Sequence, residues 1–443
     1  MTSGPRRERP TPSAAVAAAF DRIAADDRQG IWIELVDRDA ALAAATAVER
    51  SVSSGIAMPL AGMTVAVKGN IAVAGIRNTA GCPTFGDVAT ASAPAVCRLE
   101  DAGAVVVGVT NMDQFATGLV GTRSPYGICP NPIWPDLISG GSSSGSAAAV
   151  AAGHVDIALG TDTAGSGRVP AAANGLVGLK PTRRSISRVG VVPACRSLDC
   201  VSIFARSVDE AAVVLNVMRD DASGVATTER PGRAAATIRV GVAAATDLDF
   251  DGDPDGPAAY ESMVDAAKRT GVELVTVDVA PLLAAGRLLY EGAFVAERYE
   301  AVGSFVDKHP DAIDPVVREI IAGAADVAGW EVFRDLAELE RLRLLCDPTW
   351  AQIDVIAIPT VPRIPTAAEV RADPYGPNRM LGRYTNFVNL LDLCALSLPI
   401  VDSSIPDAPS PDGPPPSLML IAPAGGDELL VELAGQIMTG ATR

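Results

Sequence analysis

The sequence predicts a layered α/β domain, and three observations carry that prediction. The 443-residue chain is 48% hydrophobic and 20% charged, enough apolar mass to bury a sizeable core. Only 4% of it is aromatic, so the apolar content is mostly Ala, Val, Leu and Ile, which suits close packing of helices on a sheet. Short β-branched runs that follow glycine, at residues 63–67 and 104–109, bracket a stretch of helical periodicity at 94–100. Strand, helix, strand is the pattern of stacked α and β layers.

Taken in order, the first ~50 residues read as helices. Ala14, Ala15 and the run 17–19 follow Pro12 and Ser13, a helix start signal. Ile23, Ile31, Ile33 and Leu35 then recur among charged positions, and 40–48 keeps a helical composition. Between 139 and 181 Gly, Ser and Ala dominate, with a small-residue helix at 147–152 and an apolar run at 155–159. Ser207 and Glu210 have the spacing of a capping box, opening a helix through Val213, Val214, Leu215 and Val217. Residues 219–235 read as loop or linker. A strand at 238–242, a helix near 258–269, a strand at 273–277 and a long helical stretch from 281 to about 345 follow. Residues 353–358 form a buried strand stopped by Pro359, and the apolar runs 396–401 and 418–421 flank an exposed loop at 406–416.

Charge and composition exclude several functions. With 36 basic against 53 acidic residues the net charge is −17, the wrong sign for neutralising phosphates, so neither nucleic acid nor an anionic membrane surface is an expected partner. No run approaches the ~20 apolar residues of a membrane span, and the short Ala-rich stretch to Phe20 is broken by Asp21 and Arg22, which argues against a signal peptide. The two histidines, His154 and His309, have no ligand cluster around them, so no metal site is expected. Seven cysteines without a CxxC pair read as free thiols in a reducing compartment. The expectation is a soluble cytoplasmic protein.

The chemistry lies in two Gly/Ser turns, 140–146 and 160–170. Alone, Gly140-Gly-Ser-Ser-Ser-Gly-Ser146 has the composition of a flexible linker. It runs directly into a small-residue helix, however, and a second such turn follows about twenty residues later. Two serine-bearing turns joined by one buried helix–strand unit can bring two hydroxyls together, with approachable backbone amides as oxyanion donors. No histidine is placed to act as base, but a lysine held neutral by burial can serve. Lys68 ends an apolar run and is the candidate, although local sequence alone fits a strand-end lysine reaching solvent.

The stretch from Gly140 through Gly160-Thr-Asp-Thr-Ala-Gly-Ser-Gly-Arg-Val-Pro170 resembles the amidase signature family. The spacings fit too, 74 positions from Lys68 to Ser142 and 24 from Ser142 to Ser166. Residues 111–127, 190–200 and 384–394 look more narrowly like the amidase portion of allophanate hydrolases. The resemblance implies an amidase signature fold: a large mixed, twisted sheet flanked by helices, with a helical arm (1–50), a catalytic core (51–218), a linker plus helical substrate-binding insertion (219–345) and a return to the core sheet (346–443). It also implies that Ser166 is the nucleophile, Ser142 a bridging serine after a cis Gly141–Ser142 peptide, and Lys68 the base. For that role the lysine pKa must fall from ~10.4 toward neutrality. Thr163, Ala164, Gly165 and Ser166 are the implied oxyanion donors, with Ser143 and Ser144 as structural hydrogen-bonders. Tyr290, Arg298 and Gly118 match substrate-binding positions, although Arg298 beside Glu297 and Glu300 also reads as a surface ion-pair residue.

The implied reaction is hydrolysis of the terminal amide of allophanate with release of ammonia, in urea degradation, without a cofactor. The implied partners are a small amide substrate, a second copy in a homodimer, and a urea carboxylase linked in function. Rival readings are a hydrolase of biuret or malonamate, an ammonia-supplying amidotransferase component, and an inactive binding module. Two positions depart from the family pattern, Gly69 and Ala72, where aspartates are usual. The further C-terminal domain common in allophanate hydrolases is expected to be absent.

Overall fold

In the computed structural model, which describes residues 9–220, 237–400 and 413–440, eleven strands form one sheet. In chain order they are β1 (Trp32–Leu35), β2 (Thr64–Lys68), β3 (Val105–Thr110), β4 (Ile157–Asp162), β5 (Val177–Lys180) and β6 (Cys200–Ala205), then β7 (Arg239–Val242), β8 (Glu273–Thr276), β9 (Val355–Pro359), β10 (Leu393–Pro399) and β11 (Ser417–Pro423). Their order across the sheet is β1-β3-β2-β4-β6-β5-β10-β11-β9-β7-β8. Two parallel blocks, β3-β2-β4 and β9-β7-β8, are joined through antiparallel pairing of the strands between them. The mixed α/β architecture is the one expected.

Strands β2, β3 and β4 are buried at every residue, as parallel strands covered on both faces must be. Their side chains alternate between two cores. Val65 and Val67 join the larger core with Leu99, Leu215 and Leu433, whereas Ala66 and Ala158 face Ala147, Ala148 and Val150. That second face is covered by the helix Ser144–Ala151, whose small side chains let its backbone lie close to the sheet. Lys68 shares the alternation of Ala66, so its side chain leaves β2 on the side of this helix, toward Ser142.

Three departures from the sequence reading are instructive. Residues 31–35 lie outside the helices expected across the first fifty residues: β1 pairs antiparallel with β3 at the sheet edge, between the helices Pro12–Ala25 and Arg38–Ser53. Ile31, Ile33 and Leu35 are spaced by two, the period of a strand, and the exposed residues around them hid it. The long helical stretch is four helices, Ala280–Glu291, Ala296–Lys308, Pro315–Gly323 and Gly329–Gln352. One of its breaks is set by Asp314, which accepts the amides of Val316 and Val317 while Pro315 opens the next helix. Strands β5 and β6 and the last helix, Asp427–Gly440, have no counterpart in the sequence reading. The capping box at Ser207 and Glu210 forms as expected. Most of the linker at 219–235 and most of the loop at 406–416 lie outside the described residues.

Candidate active site

Lys68, Ser142 and Ser166 come together in a buried line. Lys68 Nζ lies 2.8 Å from Ser142 Oγ, and Ser142 Oγ lies 3.0 Å from Ser166 Oγ. Lys68 and Ser142 are fully buried, and Ser166 is 3% exposed. The Gly141–Ser142 peptide is cis. Gly141 sits where a Cβ would collide with the Asp113 carboxylate, so the turn before Ser142 admits no side chain. Ser143 donates to the Thr161 carbonyl at 3.1 Å. Ser144 makes no such directed bond and lies beside the Cys129 thiol.

Burial sets the charge of the lysine. It pushes the Lys68 amine down to about 7, with Asp113, Asp162 and Asp199 acting upward and Arg298 downward. No carboxylate makes an ion pair with it among the described residues. The amine is held instead by two hydroxyls, Ser142 and Thr161, the latter also at 2.8 Å. A lysine neutral at physiological pH can accept a proton, which an exposed one cannot.

The turn after β4 carries Ser166 and is clamped from behind. Asp162 accepts the amides of Gly165 and Gly167, both at 2.9 Å, and pairs twice with Arg168, at Nε and Nη2, again at 2.9 Å. Although burial works against it, this pairing holds the Asp162 carboxyl below its ordinary range. Arg168 also donates to the Thr385 carbonyl and to Asn389 Oδ1. Thr385 Oγ1 donates to the Ala164 carbonyl at 2.6 Å, and Asn389 Nδ2 to the Asp162 carbonyl at 2.9 Å. Gly165 has φ +133°, and a Cβ there would run into the Thr385 hydroxyl, so only glycine fits.

This clamp narrows the expected oxyanion set. The Gly165 amide donates to Asp162 Oδ1, so of the four expected donors it is the one with a protein acceptor among the described residues. The amides of Thr163, Ala164 and Ser166 have no protein acceptor among the described residues. Asp199 holds Thr163 in place by accepting its hydroxyl at 2.6 Å, together with the amides of Ala194 and Cys195.

Arg298, whose charge acts on Lys68, is 2% exposed. It is no surface ion-pair residue: Glu297 is instead taken by the amide and hydroxyl of Ser197. Arg298 Nη1 reaches only the Ala116 carbonyl and Thr117 Oγ1, both at 3.3 Å, and Nη2 has no hydrogen-bond partner. The guanidinium sits over the Tyr290 ring, 5.7 Å from its centroid. Burial works against its charge, yet Cys195, Tyr290 and Asp199 together hold its pKa above the ordinary value. The Ala116 carbonyl comes from an unusual piece of chain, since Phe115 and Ala116 both have positive φ, 52° and 53°. Gly118 follows, packed between Asp113 and Arg123: a Cβ would lie 2.7 Å from Asp113 Oδ2.

Gly69 has a local cause. A Cβ at that position would come 2.7 Å from Ile33 Cδ1 and 3.0 Å from the Thr110 carbonyl, so the side chain beside β1 fills the space a larger residue needs. His154 is remote from this chemistry, paired with Asp26 at 2.8 Å and accepting from the Trp32 indole. All seven cysteines are free. Among the described residues no side chains group as a metal site, and no helix is long and apolar enough to cross a membrane. Sequence reading missed Thr161, Arg168, Asp199, Thr385 and Asn389. The only local signal was a set of polar residues inside apolar segments, which does not say what they meet.

Comparison with known proteins bears on the same residues. Residues 14–431 match the Amidase family model. Over 411 residues the chain is 43% identical to a urea amidolyase of Lachancea kluyveri, a match covering 91% of this chain and 22% of that protein. The chain thus spans less than a quarter of the length of the urea amidolyases it matches. It is 34% identical to a glutamyl-tRNA(Gln) amidotransferase subunit of Natronomonas pharaonis, over 84% of this chain and 94% of that one. Among solved structures it is similar to the allophanate hydrolase of Kluyveromyces lactis, with a TM-score of 0.86 and 37% identity over 98% of this chain and 71% of that one.

Proposed function

The chain belongs to the amidase family, and from that premise we propose that it hydrolyses the terminal amide of allophanate, releasing ammonia through an acyl-enzyme on Ser166. Neutral Lys68 takes the Ser142 proton while Ser142 takes that of Ser166, and Ser166 Oγ attacks the amide carbonyl. The oxyanion that forms is met by the free amides of Thr163, Ala164 and Ser166. Lys68 then returns its proton through Ser142 to the departing nitrogen, which leaves as ammonia. A water attacks the acyl-enzyme by the same relay and frees Ser166.

One observation carries the substrate class: Arg298 is a buried guanidinium with an unpaired Nη2 and no ion pair among the described residues, Asp199 acting on it without contact. A buried cation in that state is costly unless a ligand supplies the anion. Allophanate ends in a carboxylate that can pair with Arg298 beside Tyr290, and Gly118 keeps the adjoining backbone free of side chain. The names of the similar proteins, urea amidolyase and allophanate hydrolase, agree with this reading. On the same reading the chain is one amidase unit acting in the cytoplasm as a homodimer, on the product of a urea carboxylase.

A second reading, an amidotransferase component that cleaves glutamine for a partner, is favoured by the likeness to the Natronomonas amidotransferase protein over most of its length. Ammonia release from allophanate, malonamate, biuret and glutamine separates them. The expected result is turnover of allophanate and malonamate by the chain alone. Cleavage of glutamine only, and only with partner proteins added, overturns the proposal.

A further inference from the structure

The Lys68 amine has two hydroxyl neighbours at the same distance, and the relay to Ser166 uses only one of them. Ser142 Oγ leads to the nucleophile; Thr161 Oγ1, also 2.8 Å from Nζ, leads away from it. Behind Thr161 stands Asn70, whose Nδ2 lies 3.2 Å from Thr161 Oγ1 and 3.3 Å from the Val192 carbonyl. Thr161 and Asn70 are each 2% exposed. The carbonyl of Val192 fixes which way the Asn70 amide faces, since a carbonyl accepts and only the NH2 end can donate to it. Asn70 therefore donates to Thr161 as well, filling one acceptor lobe of the hydroxyl.

A neutral amine carries two hydrogens and one lone pair. To take the Ser142 proton, that lone pair must point at Ser142. Thr161, with one acceptor lobe filled by Asn70, offers its other lobe to an amine hydrogen, and that bond turns the lone pair onto Ser142. After proton transfer the ammonium keeps the same acceptor. The remaining charged groups that act on Lys68, Asp113, Asp162, Asp199 and Arg298, do so without an ion pair to its amine, and Asp162 is paired with Arg168 instead.

We propose that Thr161, its rotor fixed by Asn70, is a positioning residue that aims the Lys68 lone pair at Ser142 and sets the proton affinity of the amine. The inference rests on Lys68 being the base. It goes beyond that reading by giving the base an orienting partner outside the relay.

The sign follows from the chemistry. An acceptor favours the charged amine, so its loss lowers the Lys68 pKa. Activity requires the neutral amine and rises with pH through that pKa, which burial places at about 7. In Thr161→Val, which keeps the shape but not the acceptor, the acid limb of kcat/KM is expected to move to lower pH by ~1 unit. The plateau of kcat is expected to fall ~10- to 100-fold with KM little changed, because the relay is no longer aligned. Thr161→Ser restores both. If Thr161→Val does not fold, Thr161→Cys, similar in size and a poor acceptor, gives the same readout. An acid limb within about 0.2 units of wild type in folded Thr161→Val or Thr161→Cys overturns the inference, even with kcat reduced, because a purely structural loss moves no titration. Failure of the underlying reading looks different: Lys68→Arg would then retain normal acylation and the same acid limb.

Discussion

Two arginines are buried in this part of the fold, and they could hardly be more different in how they are held. Arg168 is saturated, with two bonds to Asp162, one to Asn389, one to the Thr385 carbonyl and a contact with the Met419 sulfur. Arg298 has two long bonds to neutral oxygens, an orphan Nη2 and an aromatic ring beneath it. Both side chains are removed from water, and a guanidinium cannot shed its charge to relieve the cost. The difference teaches how to tell a structural cation from a binding one: the first has its anion within the fold, and the second leaves a place for an anion to arrive. In the line of Lys68, Ser142 and Ser166 the polar atoms are satisfied by each other and by Thr161.

The largest expected effect removes the reacting atom and leaves both arginines in place. Ser166→Ala is expected to lower kcat by at least ~10⁴-fold, while the folded variant still binds an anionic amide through Arg298. Titration calorimetry with malonamate checks the binding and ammonia release the turnover. Activity within about tenfold of wild type removes Ser166 as nucleophile.

Arg298→Met tests the binding side of the comparison. Loss of a charge-assisted partner in a closed site costs about 2–5 kcal/mol, so kcat/KM for malonamate should fall ~30- to several-thousand-fold. An uncharged amide of similar size should lose far less, and thermal stability should hardly fall, because no buried anion of the protein is left unpaired. Equal losses for charged and neutral substrates would make Arg298 a second structural arginine and dissolve the contrast.

The smallest change in substrate preference, and the largest in stability, is expected from Arg168→Met. It leaves Asp162 buried without its counter-ion, and breaking such a pair costs about 3–5 kcal/mol. Asp162 then also loses what holds its carboxyl low, so the stabilisation that wild type loses in acid is already missing from the variant at neutral pH. The sign is that of a depressed carboxylate: its stabilisation is present above the unfolded pKa near ~3.9 and is lost as pH falls below it. In Arg168→Met the stability deficit relative to wild type should therefore be largest near neutral pH and shrink as pH falls below ~3.9. Thermal melts across pH 3–8 check this, and a melting curve unchanged by the substitution would mean the pair contributes nothing.

Legibility differed between the same two regions. On the Arg168 side the stretch from Asp162 to Pro170 is one contiguous motif, but the role of Arg168 and its partners Thr385 and Asn389 could not be read from it. The Arg298 side is assembled from segments far apart in the chain, and only a resemblance pointed to Arg298 and Tyr290. Gly165 marks the limit of such reading. The motif marked it as an oxyanion donor, and only the fold revealed that Asp162 already takes its amide. Residues 31–35 mark it for secondary structure, since four residues of alternation become a strand only when β3 lies alongside.

What the sequence determined by itself was local: short buried strands, helix starts at proline and serine, the two glycine–serine turns, and a lysine closing an apolar run. These follow from backbone sterics, capping and periodicity, which act over a few residues. What only the tertiary structure decided was which groups would lack or find partners. The Lys68 amine is brought down to about 7 because the fold removes its water and no carboxylate forms an ion pair with it. Arg298 keeps an unpartnered Nη2, and the loop at Ala116 and Thr117 offers its Nη1 only neutral oxygens. Proton affinity and binding capacity are set by burial and by the neighbours that long-range packing supplies, and no window of sequence contains both partners.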